Sequence, residues 1–176
     1  NSMNMLYHKI IKIIFLFNIL LVFCSTAVSQ NVVSSKFPDL KKFNLETDQT
    51  YDLNGKILLI DFWASWCRPC KDAFPILNQI QKEYIEKGVL VVGINVDRDK
   101  KLMTRFLKKN SCDFLVLHDM SKDLVSKMDI KTFPTSFIVD SNGTIQSVHA
   151  GFNKNTTKKK YIKVIDKLIS GKNTTK

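Results

Sequence analysis

Two cysteines three residues apart, Cys67 and Cys70, stand near the end of the stretch "LLIDFWASWCRPCKDAFP", residues 58 to 75, with an acid, Asp61, and two tryptophans, Trp63 and Trp66, just before them. Two thiols at that spacing can ligate a metal, staple the chain or exchange electrons. A bridge between residues three apart closes a very small loop and constrains the unfolded chain little, so stability is a poor reason for it. A zinc site needs four ligands, and beyond this pair the chain offers Cys112, His118 and His149, whose spacing matches no common finger. Covalent haem attachment needs a histidine directly after the second cysteine, where this chain has Lys71. Dithiol exchange is the chemistry the pair serves best.

The elements around the pair must place both sulfurs at one point. The run "KILLIDF" (56 to 62) and the run "GVLVVGINVD" (88 to 97) read as strands buried on both faces, with a helix from about Cys67 to Lys87, kinked at Pro75, between them. Strand, helix, strand in about 40 residues predicts a right-handed βαβ unit. A buried strand then delivers Cys67 to a helix amino terminus, and Cys70 lies one turn deeper on the same side. The helix dipole and free backbone N–H groups favour a thiolate at Cys67, and Arg68 adds positive charge, so its pKa is expected below the free value near ~8.5. Cys70 suits a resolving thiol that attacks after a mixed disulfide has formed. Asp61 interrupts the apolar run, and a carboxylate there is costly to bury unless its pKa rises. A buried acid beneath the helix start could take the proton of Cys70; a partly exposed acid at the strand end is the alternative.

Further along, "KKLMTRFLKKN" predicts a second helix, "CDFLVLH" (112 to 118) a strand, and "SKDLVSKM" (121 to 128) a short helix capped by Ser121. In "TSFIVDSNGTIQSVHAGF" two strands are joined through Ser141, Asn142 and Gly143, with Asn-Gly supplying the φ > 0 residues of a hairpin turn. The segment "FNLETDQTYDL" before residue 56 reads as an edge hairpin. In "YIKVIDKLIS", Tyr161, Ile162, Ile165, Leu168 and Ile169 share one helical face, with Gly171 ending the helix. A chain of 176 residues, 44% apolar and 24% charged, is long enough for one sizeable core. The expected fold is α/β: a three-layer α/β/α sandwich with a central mixed β-sheet and an N-terminal β-hairpin extension.

Charge is unevenly spread. Of the net +11, Lys9 and Lys12 supply +2 and residues 154–176, with eight lysines and one aspartate, supply +7, which leaves only +2 on residues 30–153. A lysine-rich tail can touch lipid or nucleic acid. Its apolar helical face favours a packed helix with a solvated charged side, and no nucleic-acid partner is expected. The first residues combine His8, Lys9 and Lys12 with the apolar run "IIFLFNILLVF" (13 to 23) and then "STAVSQ". That order matches a secretory signal peptide, residues 1–29, with Met3 or Met5 as the start and cleavage after about Ser29; the run is short of the roughly 18 residues of a membrane span. An uncleaved anchor, or lipidation of Cys24, are the other readings, and membrane contact is expected only through that segment. Residues 30–176 form the remaining domain, with a core from about 37 to 170 and the basic helix and tail at 154–176.

The motifs "DFWASWCRPC", the helix-interior Pro75 and "TFPTSF" resemble the thioredoxin superfamily, in particular its secreted TlpA/ResA-like branch of thiol:disulfide oxidoreductases. The branch is suggested by "WASWC", by the front hairpin, and by the extra strand and helix between "GINVD" and the proline; the resemblance runs from about Phe37 to Leu168. It implies a redox-active Cys67–Cys70 disulfide, catalysis by Cys67, Cys70 and Asp61, and no cofactor. It also implies a cis-proline at Pro134 lying against the disulfide, and substrate contact by Trp66, Arg68, Pro69, Phe133 and Pro134. The implied partners are disulfide-bearing proteins and a membrane donor resembling DsbD, in the periplasm or cell envelope, with the protein a monomer. One departure matters: reductases of this branch that act on apocytochrome c usually carry glutamate three residues after the second cysteine, and here that position is Ala73. Asp61 instead occupies the position of the buried aspartate of ordinary thioredoxins. The expected function is therefore general reduction of disulfides in exported proteins, with cytochrome c maturation, or a non-catalytic tethering protein using the basic tail and Cys112, as alternatives. The direction of electron flow stays open, since Arg68 favours the reduced thiolate and Pro69 matches the reducing thioredoxins. Cys112 reads as a small buried residue at a strand edge, and His118 and His149 as surface or satisfied histidines.

Overall fold

The computed structural model describes Lys12 and residues 32–172. Apart from Lys12, the expected signal segment lies outside the described residues, as do its cleavage point and Cys24. The chain divides into two compact units, residues 1–35 and 36–176. Of the first, residues Val32 to Ser35 form a turn in which the Ser35 amide and hydroxyl both donate to the Val32 carbonyl, at 3.2 and 2.7 Å. Among the described residues, no helix is long and apolar enough to cross a membrane.

The second unit is built on five strands: β1 (Ile57–Trp63), β2 (Val89–Asn95), β3 (Leu115–His118), β4 (Thr135–Val139) and β5 (Ile145–Ala150). Their order across the sheet is β3-β2-β1-β4-β5. The first three run parallel, β4 is antiparallel to β1, and β5 to β4, giving the mixed sheet expected. Four helices connect or follow them: α1 (Arg68–Tyr84), α2 (Lys100–Lys109), α3 (Asp123–Lys127) and α4 (Thr157–Lys172). Strand β1 is central, apolar on both faces and buried at six of its seven residues, which is why its sequence shows no alternation.

The two faces of β1 can be told apart by what its rings meet. Trp63 packs on Phe74 of α1 and Phe106 of α2, each with centroids 4.9 Å apart. Its neighbour Phe62 points to the opposite face, where it meets Phe137, which in turn holds Phe37. Asp61, an odd-numbered residue like Trp63, therefore lies on the face that α1 covers. Helix α4 joins that layer through the Tyr84 hydroxyl, which donates to Asp166 at 3.0 Å, and a Lys158–Glu83 ion pair at 3.4 Å. Helix α1 buries one stripe, Cys70, Ala73, Phe74, Leu77, Ile80, Gln81 and Tyr84, and ends through a 3-10 turn at Gly88, whose φ of 77° suits glycine.

Several expectations are corrected. The N-terminal hairpin does not form: residues 36–56 make a 3-10 turn at Leu40–Lys42 and two isolated bridges, Lys36 with Thr144 and Glu46 with His118. Pro38 has no N–H for a ladder, and the side chains of Asp39, Thr47 and Asp52 accept amides two residues on, so local turns replace strand pairing. Helix α3 is capped by Asp119, which accepts from the amides of Leu124 and Val125 at 3.4 and 2.8 Å, while Ser121 gives no cap. In the β4–β5 turn only Gly143 has positive φ; Asp140 holds the loop by accepting from the amides of Asn142 and Thr144. Gly171 lies inside α4 and does not end it.

Candidate active site

The parallel β1 ends at Trp63, and residues 64–66 turn the chain into α1. Cys67 is the N-cap of that helix and Pro69 stands in its first turn, where a missing N–H costs nothing. Cys67 and Cys70 are joined as a disulfide. The Cys67 sulfur accepts the Cys70 amide at 3.2 Å, and no acidic side chain shares the first turn. An anion on Cys67 would meet a backbone donor and the positive end of the helix. Cys67 retains a rim of exposure and Cys70 has none, which separates an approachable sulfur from a covered one.

Arg68 follows Cys67 as the first residue of α1. Its side chain is 84% exposed and turned toward Asp72 at 3.8 Å, so its charge is shared with a carboxylate and screened by water. Trp66, 68% exposed, stands edge-on to Phe133 with centroids 5.7 Å apart, and so ties the loop before Cys67 to the loop before β4. The Phe133–Pro134 peptide bond is cis. Pro134 is buried, and its carbonyl accepts the Gly151 amide at 2.7 Å.

Asp61 is 1% exposed. Burial pushes its carboxyl up to about 7, partly offset by the Ser136 hydroxyl, which donates to Oδ1 at 2.5 Å. Its Oδ2 has no partner. Ser136 lies directly opposite Asp61 in the β1–β4 register, and Tyr161 of α4 reaches the Ser136 oxygen at 2.6 Å. With the serine proton committed to Asp61, the tyrosine is the donor, and burial together with the Asp61 charge raises the Tyr161 pKa. His149 abuts the Tyr161 ring and lies 3.3 Å from the Thr157 hydroxyl. The spacing places a titratable oxygen under α1, on the face that also holds Cys70.

A second buried acid, Asp97, has no counterpart in the sequence reading. It accepts the Ser65 amide at 3.2 Å through both carboxylate oxygens and the Asn95 side-chain amide at 3.0 Å. It thereby fixes the loop two residues before Cys67. His118, fully buried at the end of β3, sits 2.8 Å by Nε2 from the Asp97 carbonyl, and its Nδ1 is unpartnered, so it is neither a surface nor a fully satisfied histidine. The available signal was an acid at the end of the apolar run "GINVD", the same pattern that marks Asp61. Cys112 is half-buried, near the Phe114 carbonyl, and burial pushes its thiol up to about 11.

The Redoxin family profile matches residues 32–165. The chain is 33% identical over 125 residues to the thiol-disulfide oxidoreductase ResA of Oceanobacillus iheyensis, covering 68% of this chain and 65% of that protein. It is 33% identical over 115 residues to the thioredoxin-like protein YneN of Bacillus subtilis, covering 64% and 66%. It thus spans just under two thirds of the length of these two relatives. A DsbE thiol:disulfide interchange protein from Chlorobium tepidum superposes with a TM-score of 0.72 at 32% identity, over 78% of this chain and 97% of that one.

Proposed function

The chain belongs to the Redoxin family, and on that footing we propose that it is a thiol:disulfide oxidoreductase working through Cys67 and Cys70. The observation that carries this reading is the disulfide at the helix start, with its outer sulfur facing a backbone donor and its inner sulfur covered on the face that holds Asp61. In the reducing direction the Cys67 thiolate attacks one sulfur of a substrate disulfide, a Cys67–substrate disulfide forms, and the other substrate sulfur leaves as a thiolate. Asp61 accepts the Cys70 proton, the Cys70 thiolate attacks the Cys67 sulfur, and the second substrate sulfur departs. Two electrons have passed to the substrate and the Cys67–Cys70 disulfide remains; a dithiol donor restores the pair.

Substrates are disulfides in exported proteins, contacted through Trp66, Arg68, Pro69, Phe133 and Pro134. Residues 1–29 act as an export signal, the mature protein is monomeric in the periplasm or cell envelope, and a membrane protein resembling DsbD supplies electrons. Ala73, in place of the glutamate of cytochrome-directed reductases, favours general reduction over cytochrome c maturation. The test is reduction of insulin by residues 30–176 with a dithiol donor. Catalysed precipitation of the insulin chains, lost in Cys67→Ser, is the expected result; a rate equal to that of the donor alone would refute the reading.

A further inference from the structure

A cavity of about 440 Å³ opens beside Cys67, between the start of α1 and helix α2. Its apolar walls are Trp66, Leu102 and Phe106, and its charged ones are Arg68, Lys71, Arg105 and Lys109, with no acid among its lining residues. Arg68 shares its charge with Asp72. Among the described residues, Lys71, Arg105 and Lys109 form no ion pair. Helix α2 carries five basic residues in ten and none acidic; Lys100 pairs with Glu46 and Asp48 at 3.8 and 3.3 Å, and Lys101, Arg105 and Lys108 line a second cavity with Asp99 at its edge. Residues 30–153 carry only +2 in all, and without the five cations of α2 they are net −3, so this is a local concentration of charge beside Cys67 and not a property of the whole surface.

We propose that this groove selects disulfides held in acidic polypeptide segments, with Asp or Glu side chains next to the cystine to be reduced. The inference rests on the exchange reading above and adds the substrate class. A cleft lined by one sign of charge concentrates oppositely charged substrates and raises their encounter rate. The partner is a polypeptide because the unpaired cations run from Lys101 to Lys109, about 13 Å for nine residues, which is the span of an extended segment of about four residues. Leu102 and Phe106 offer an apolar surface to a side chain of that segment, and Cys67 lines the same cavity.

The test compares three peptide disulfides of equal length whose cystine is flanked by Glu, by Gln or by Lys, with glutathione disulfide as a small anionic comparator. At an ionic strength of about 0.01 M, where charges act over about 30 Å, kcat/KM for the Glu peptide should exceed that for the Gln peptide about tenfold. At about 1 M, where the range falls to about 3 Å, the ratio should approach one. Arg105→Glu/Lys109→Glu should reverse the order toward the Lys peptide, and the milder Arg105→Gln/Lys109→Gln should abolish the preference, with circular dichroism reporting that each variant is folded. Lys159→Glu/Lys163→Glu, an equal charge change on α4, should keep the Glu preference. An unchanged ratio in both groove variants, a salt-independent ratio, or an anionic preference confined to glutathione disulfide would overturn the proposal while leaving the exchange reading intact. Failure of the parent protein to reduce any peptide would overturn the exchange reading and this inference with it.

Discussion

Asp61 is the residue whose environment makes the strongest claims. Its unfolded carboxyl titrates near 3.8 and its folded one is pushed up to about 7. Below pH 3.8 it is protonated in both states and costs nothing. As pH rises from there to about 7 the unfolded chain releases the proton more readily, so stability is lost, on the order of 4 kcal/mol once pH exceeds the folded value. Asp61→Asn should therefore match the parent near pH 3.5 and be more stable at pH 8, read by urea unfolding at both. The same substitution should slow decay of the mixed disulfide by ~10²-fold in stopped-flow exchange, with the first attack nearly unaffected. A loss confined to the first attack would remove Asp61 from the resolving step. Cys112, with its thiol pushed up to about 11, should resist alkylation at pH 7.5 in the reduced protein while Cys67 reacts first and Cys70 later; mass mapping over time checks the order. The place of the cysteine pair at a strand–helix junction and the burial of Asp61 were legible in the sequence because both follow from the local run of residues. The Ser136–Tyr161 support was not, since those hydrogen bonds join residues 75 and 25 positions apart.

At the scale of elements, the site depends on how tightly β1 and β2 approach α1 and α2. Gly93 lies opposite Asp61 in the register, and a Cβ there would stand 2.9 Å from both Trp63 Nε1 and Phe114 Cε2. Both neighbours are buried rings with little room to yield, so Gly93→Ala should cost about 1–3 kcal/mol through overpacking, seen as a lowered Tm. Asp97→Ala leaves the Ser65 amide and the Asn95 amide without their acceptor and should cost about 1–3 kcal/mol. It should also loosen the loop before Cys67, measured as faster amide exchange at residues 64–66. Strand β1, strand β2 and helix α1 were legible from two continuous apolar runs around an amphipathic segment. The supposed front hairpin misled because "FNLETDQTYDL" has strand-like residues among polar side chains that bind their own backbone instead. The cap of α3 misled for a related reason: Asp119, at the end of β3, reaches two helix amides that the nearer Ser121 does not.

For the whole molecule, the order β3-β2-β1-β4-β5 puts the one strand that delivers the cysteines at the centre, covered by α1, α2 and α4 on the face that holds Asp61. The fold class was legible from the alternation of strands and helices, whereas the crossing of residues 36–56 from the β5 side to the β3 edge depended on pairings far apart in the chain. Tyr161 and Ile165 bury the face predicted for the C-terminal helix, and Lys159, Lys160, Lys163 and Lys167 are exposed. The export reading predicts that protein recovered from its native cell begins at Gln30 or a close neighbour, by intact mass; a lipid-modified Cys24 would contradict that cleavage. The central claim, exchange through Cys67 resolved by Cys70, is tested most directly by trapping the intermediate. Reduced Cys70→Ser protein is mixed with a disulfide-bearing polypeptide and the products are mapped by mass spectrometry. The account predicts a stable disulfide adduct on Cys67, released by added dithiol; no adduct, or one confined to Cys112, would contradict it.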